Sequence, residues 1–148
     1  MQLESLRELA LRAARSGAAL VHAAAEPGTS LDTTSKGRGD YVTSVDRSAE
    51  EAIVAVLREG SPDIPVVAEE AGGTPGALSW SVDPLDGTAN VNRGLPLVGV
   101  SVGLVEEGWP IAGAVAAPFP RREWHTARGL GAHDESRSCR SRGWQGAS

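Results

Sequence analysis

Apolar residues recur at helical spacing near the start of the chain, at Leu3, Leu6, Ala10, Ala13, Gly17, Leu20, Val21 and Ala24, with Glu4, Arg7, Glu8, Arg12 and Arg15 between them. That period predicts an amphipathic helix over residues 3 to 25. The segment EPGTSLDTTSKGRGD, Glu26 to Asp40, is rich in Gly, Ser and Thr and reads as a loop of the length that small domains often put to functional use. An extended piece, Tyr41 to Val45, then leads into a second helix from Ser48 to Glu59. Ser48 and Glu51 form a capping box for it, Ala49, Ile53, Val56 and Leu57 face inward, and Gly60 with Pro62 ends it.

The period then changes to two. Short β candidates lie at Ile64 to Ala68 and Trp80 to Val82. A longer one, Leu97 to Val105, alternates Val98, Val100, Val102 and Leu104 with Gly99, Ser101 and Gly103. The turn EEGW sends it back as Ile111 to Ala117, which predicts an antiparallel hairpin, and Arg122 to Thr126 supplies a further strand. From Asp134 onward the period vanishes and serine and arginine dominate, so this tail is expected to be disordered.

With 148 residues, 41% of them apolar, the chain is one domain with enough bulk for a core. Fourteen basic against nineteen acidic residues give a net charge of −5, which disfavours nucleic acid or an anionic membrane as partner and suits metal cations. One cysteine, Cys139, leaves no internal disulfide to form, and no export signal is apparent, so a cytoplasmic protein is expected. Every apolar stretch falls short of the ~20 residues that cross a bilayer.

Three acidic clusters remain. In SVDPLDGTAN, Pro84 fixes its own φ and Gly87 admits conformations closed to other residues, so Asp83 and Asp86 can face one point. Two carboxylates tolerate that closeness around a cation, and with the Leu85 carbonyl they offer the hard oxygens that Mg²⁺ prefers. Gly87, Thr88, Ala89 and Asn90 then read as the first turn of a short helix, whose free N–H groups attract a phosphate. In VVAEEAGG, Glu69 is a candidate third carboxylate and Glu70 a candidate to polarise a water; in DYVTSVD, Asp46 stands just before the second helix. Each cluster also has a plain reading, as a routine Asp-Pro or Asp-Gly turn, a solvated turn, or a helix cap.

Taken together, DYVTSVD, VVAEE and WSVDPLDGTANVNRGLPLVGVSVGL, in this order, resemble the inositol monophosphatase family of Mg²⁺-dependent phosphatases over a region ending near TARGLGA, residues 126 to 132. Lys36 also falls where that family often has a lysine. The resemblance implies a layered α/β sandwich, with two N-terminal helices packed on a largely antiparallel sheet. It makes Glu69 and Asp83, with the Leu85 carbonyl, ligands of one metal, and Asp83 and Asp86 ligands of a second. Glu70 lies near a third, Thr88 and Asp46 orient and deprotonate the attacking water, and the amides of Gly87 and Thr88 hold the phosphate beside Asp86. The implied reaction is in-line hydrolysis of a phosphate monoester, by default inositol monophosphate, with histidinol phosphate, sugar bisphosphates and adenosine bisphosphate as alternatives. Full-length members are usually homodimers.

The chain departs from the family pattern at Ala89, in place of a hydroxyl residue, and at Val91, in place of an aromatic one. Members are considerably longer, and a W-D-x-A segment that completes the second metal site is absent. The departure after residue 132 reads as a premature end, with residues 133–148 an aberrant tail. On that basis a catalytically weak or inactive metal-binding fragment is the alternative to an enzyme. A haloacid-dehalogenase-like phosphatase, with Asp83 as nucleophile, ranks lower because its motif spaces the two aspartates differently.

Overall fold

The computed structural model describes residues 1–24, 38–69, 72–135 and 137–139, with 38–43 as backbone alone. Its elements run α1 (Leu3–Ala24), α2 (Arg38–Gly60), β1 (Val66–Ala68), β2 (Leu78–Asp86) and α3 (Thr88–Asn92), then β3 (Gly99–Glu106), β4 (Trp109–Ala117), β5 (Arg122–Ala127), β6 (Gly131–Asp134) and β7 (Arg137–Cys139). The strands form one seven-stranded sheet in chain order. β1 is parallel to β2 and every later pair is antiparallel.

The two helices pack side by side on one face of this sheet, α1 across β3, β4 and β5 and α2 across β1 and β2. The expected alternation in β3 is what builds the core: Val98, Val100, Val102 and Leu104 are buried beneath the helices with Trp80 and Val82 of β2. Gly17 lets α1 and α2 meet closely, since a Cβ there would sit 2.7 Å from the Ile53 side chain. Trp80, fully buried, satisfies its indole by donating to Ser61 Oγ at 2.8 Å, and Ser61 in turn donates to the Leu57 carbonyl at the end of α2 at 2.8 Å. This relay fixes β2 under α2. The β3–β4 hairpin turns through Glu107 and Gly108, at φ 49° and 82°, the positive pair that a two-residue turn of matching twist requires.

The structure corrects the reading of residues 38–48. Tyr41 to Val45 is not extended but lies within α2, which begins at Arg38, so Ser48 and Glu51 sit mid-helix and form no capping box. The physical reason lies in the buried stripe. Val45, Ala49, Ile53 and Leu57 follow at intervals of four and all pack into the core, and extending an existing helix costs far less than nucleating one. Asp46 is therefore a residue of the helix and not its cap. The remainder of the expected loop, residues 25–37 with Lys36, lies outside the described residues.

The tail differs as well. β6 and β7 continue the sheet to Cys139, with His133 paired to Ser138 and Asp134 to Arg137. Arg122 pairs with Asp134, and the Glu135 amide donates to the Glu123 carbonyl at 3.0 Å, so tertiary contacts order a stretch whose composition argued against it. Residues 140–148 lie outside the described residues.

Candidate active site

β2 ends in Val82-Asp83-Pro84-Leu85-Asp86, and a strand alone would point Asp83 and Asp86 to opposite faces. The register shows why it does not. Asp83 pairs with Ser101 and Asp86 with Gly99, three steps along β2 against two along β3. One residue is therefore extra, and this β-bulge returns Asp86 to the face that Asp83 occupies. Burial follows the same phase change. Val82, Pro84 and Leu85 are buried, whereas Asp83 is half-buried and Asp86 exposed. The two carboxylates thus emerge together at the end of β2, close enough to repel each other.

Their closeness shows in the acidity of Asp83. Burial pushes its carboxyl up, the Leu85 N–H donated to Oδ1 at 3.2 Å pulls it down, and the repulsion of Asp86 adds to the rise. A cation between the two would relieve both upward effects. The Leu85 carbonyl accepts the Thr88 hydroxyl at 3.0 Å, which fixes Thr88 beside the acids and leaves the carbonyl a second lone pair for another partner.

Gly87 turns the chain at φ 96°, in the left-handed region, and a Cβ there would lie 2.7 Å from the Leu97 carbonyl oxygen. Both facts require glycine. The five-residue α3 follows, with the Asn90 and Val91 amides donating to the Gly87 carbonyl at 2.8 and 3.2 Å. The amides before them precede the helix's own ladder and are the ones open to an anion. Asn90 clamps the turn from the other side, its Nδ2 donating to the Leu97 carbonyl at 2.7 Å.

Glu69 approaches from the neighbouring strand. β1 is parallel to β2 and its last residue, Ala68, pairs with Val82, so Glu69 follows at the level of Asp83. The chain then hooks back, with Ala68 and Gly72 exchanging hydrogen bonds at 3.0 and 2.9 Å, and Glu69 is exposed at the mouth of this turn. Asp46 comes from α2, which packs against both β2 and α3, and is half-buried. Glu70 lies outside the described residues.

Asp83, Leu85, Asp86, Gly87 and Thr88 therefore meet in one turn, with Glu69 one strand away and Asp46 on a third element. Among the described residues no three acidic, histidine or cysteine side chains close into a single metal-holding cluster. The donors that do meet, two carboxylates and a carbonyl, fit a hard cation in chemistry. The sequence placed Asn90 in the short helix but did not reveal its clamp on Leu97, nor the bulge, although two adjacent buried residues, Pro84 and Leu85, lie between the two acids.

These features define a class, a layered α/β chain with a bulged acidic turn that opens onto a short helix. Its family follows from comparison. The model of the inositol monophosphatase family matches residues 2–143, and the chain belongs to that family. Among similar proteins is the Nus factor SuhB of Pasteurella multocida, 36% identical over 133 residues, 88% of this chain and 50% of that protein. Another is the fructose-1,6-bisphosphatase/inositol-1-monophosphatase of Aquifex aeolicus, 45% identical over 100 residues, 66% of this chain and 38% of that protein. The solved inositol monophosphatase of Anabaena (Nostoc) sp. PCC 7120 superposes with a TM-score of 0.78 at 28% identity, covering 93% of this chain and 50% of that one. The chain spans about half the length of the first of these curated relatives and less of the second. The family match runs past residue 132, where the resemblance in the sequence faded, and takes in β6 and β7.

Proposed function

We propose that the bulged turn is the cation- and phosphate-holding part of a Mg²⁺-dependent phosphate monoester hydrolase. The observation that supports this most is the bulge itself, because it sets Asp83 and Asp86 on one face at an energetic cost that an intervening cation offsets. Asp83, Asp86 and the Leu85 carbonyl would hold the ion, with Glu69 reaching it from the adjacent strand end. When bound, Mg²⁺ supplies charge neutralisation and Lewis acidity at this turn.

The chain's own groups do the rest. The Gly87 and Thr88 amides bind phosphate oxygens where α3 begins, and its dipole adds to that attraction. Thr88, held by its bond to the Leu85 carbonyl, positions the attacking water by accepting through its free lone pairs. Asp46 is the group that takes the proton, and Glu70 serves to polarise the water. Unassisted phosphate monoesters are among the slowest reactions known, with enzymatic accelerations up to ~10²¹-fold, so orientation and charge stabilisation carry the catalysis.

The substrate class is a small phosphorylated polyol or sugar, with inositol monophosphate as the first choice. The name of the Aquifex relative, which joins a sugar bisphosphatase to an inositol monophosphatase, supports that range. The test is phosphate release from inositol 1-phosphate by the 148-residue chain, with and without Mg²⁺ and with Asp83→Asn. Release that needs both Mg²⁺ and Asp83 is the expected result. Release by Asp83→Asn equal to that of the unaltered chain would refute the assignment, and cation binding without release would identify a metal-binding chain that lacks turnover.

A further inference from the structure

Away from the acidic turn, α1 and the end of the β4–β5 hairpin line an open cavity of about 240 Å³. Its floor is apolar and shallow because Ala18, Ala19, Ala116, Ala117 and Pro118 present almost no bulk. Its rim is cationic, and the three arginines there differ in how they are satisfied. Arg15 makes a two-pronged pair with Glu123, Nε donating to Oε2 at 2.6 Å and Nη2 to Oε1. Arg122 is taken by Asp134 and lies over the Trp124 ring. Arg121 makes no ion pair among the described residues, and its polar contact is Nη2 to His22 Nδ1 at 3.4 Å. Its backbone holds φ 65°, the left-handed conformation that closes the loop between β4 and β5. His22, stacked on Phe119 with ring centroids 5.4 Å apart, forms the wall beside it.

We propose that this cavity binds a small monoanionic carboxylate with an apolar, planar body. The guanidinium left over after Arg15 and Arg122 are paired carries one charge, which matches a carboxylate and not a phosphate dianion. A carboxylate also accepts two parallel N–H bonds from the guanidinium fork. The alanine floor, Pro118 and the face of His22 provide the apolar surface. The volume is below that of drug-sized pockets, so the ligand is of about benzoate size. The site shares no residue with the acidic turn, although Ala116 pairs with Val100, next to the partner of Asp83, so both sites open at the same end of the sheet. Arg121 also stands near the C-terminal end of α1, where a cation stabilises the helix dipole without any ligand, and the test separates the two roles.

Benzoate is titrated into the full chain while methyl and amide NMR signals of Ala18, Ala19, Ala116 and Ala117 are followed. Saturable shifts with Kd of about 0.1–10 mM are expected for a ligand of this size. Arg121→Gln, at an exposed position, should weaken binding at least about fivefold, and Arg121→Lys, which keeps the charge but loses the fork, should fall between. Benzyl alcohol, which lacks the charge, should bind at least about fivefold more weakly. The proposal fails if no saturable shift appears at these alanines, if Arg121→Gln binds benzoate like the unaltered chain, or if benzyl alcohol binds equally well. Phenyl phosphate binding more than about tenfold tighter than benzoate would overturn the choice of carboxylate. A urea midpoint lowered by Arg121→Gln with benzoate affinity unchanged would assign Arg121 to the helix end alone.

Discussion

Replacing Gly87 by alanine imposes two separable costs. At φ 96° an L-residue is strained whatever the space around it, which alone is worth about 1–2 kcal/mol. The added Cβ would also sit 2.7 Å from the Leu97 carbonyl oxygen, a backbone atom that Asn90 already holds at 2.7 Å, so the contact cannot be relieved by a rotamer change. Overpacking of this kind costs typically 1–3 kcal/mol, and the sum is about 2–5 kcal/mol. Gly94 provides the control, because its φ is 73° but nothing lies within 4 Å of its Cβ position. Gly94→Ala should therefore cost about 1–2 kcal/mol, the backbone strain alone. Urea unfolding of both variants, followed by Trp fluorescence, measures the difference. A Gly87→Ala midpoint equal to that of Gly94→Ala would refute the close approach to Leu97, and with it the packing that shapes the turn.

Other consequences follow from single bonds. Ser61→Ala removes the acceptor of the fully buried Trp80 indole and should destabilise the chain by about 1–3 kcal/mol in the same assay. Asn90→Ala removes the clamp on Leu97 and should raise amide exchange over residues 95–98 more than elsewhere, at a net cost of about 1 kcal/mol. The Arg15 guanidinium, hydrogen-bonded to Glu123, holds that carboxyl below its usual 4.5 although partial burial opposes the shift. A depressed carboxylate contributes stability above its unfolded pKa and loses it as pH falls through the folded value. Glu123→Gln should therefore lower stability at pH 7 by about 1 kcal/mol or less, because Arg15 is half exposed, with the difference shrinking as pH falls below 4.5. Equal losses at pH 3 and pH 7 would argue against the pair.

Helix α1, the β3–β4 hairpin and the acidic turn were legible because each has a local signature. The helical period of α1 is uninterrupted, the alternation in β3 is strict, and Glu107-Gly108 is a turn pair. The start of α2 was not legible. Tyr-Val-Thr-Ser-Val carries β-branched residues that favour strand, and only the interval of four from Val45 through Leu57 shows that tertiary packing overrides them. β6 and β7 were hidden for a similar reason, since their order comes from Arg122–Asp134 and Glu135–Glu123 contacts remote in sequence. At the site, residue identity pointed to Asp83 and Asp86. The bulge that aligns them depends on a register with β3, which one strand cannot reveal.

The account rests on Asp83 and Asp86 sharing a cation, and a calorimetric titration of the 148-residue chain with Mg²⁺ tests that most directly. Saturable binding that weakens at least about tenfold in both Asp83→Asn and Asp86→Asn is the predicted result, as expected when one of two charged ligands is lost. Heats that are flat for the unaltered chain, or the same in all three proteins, would contradict it.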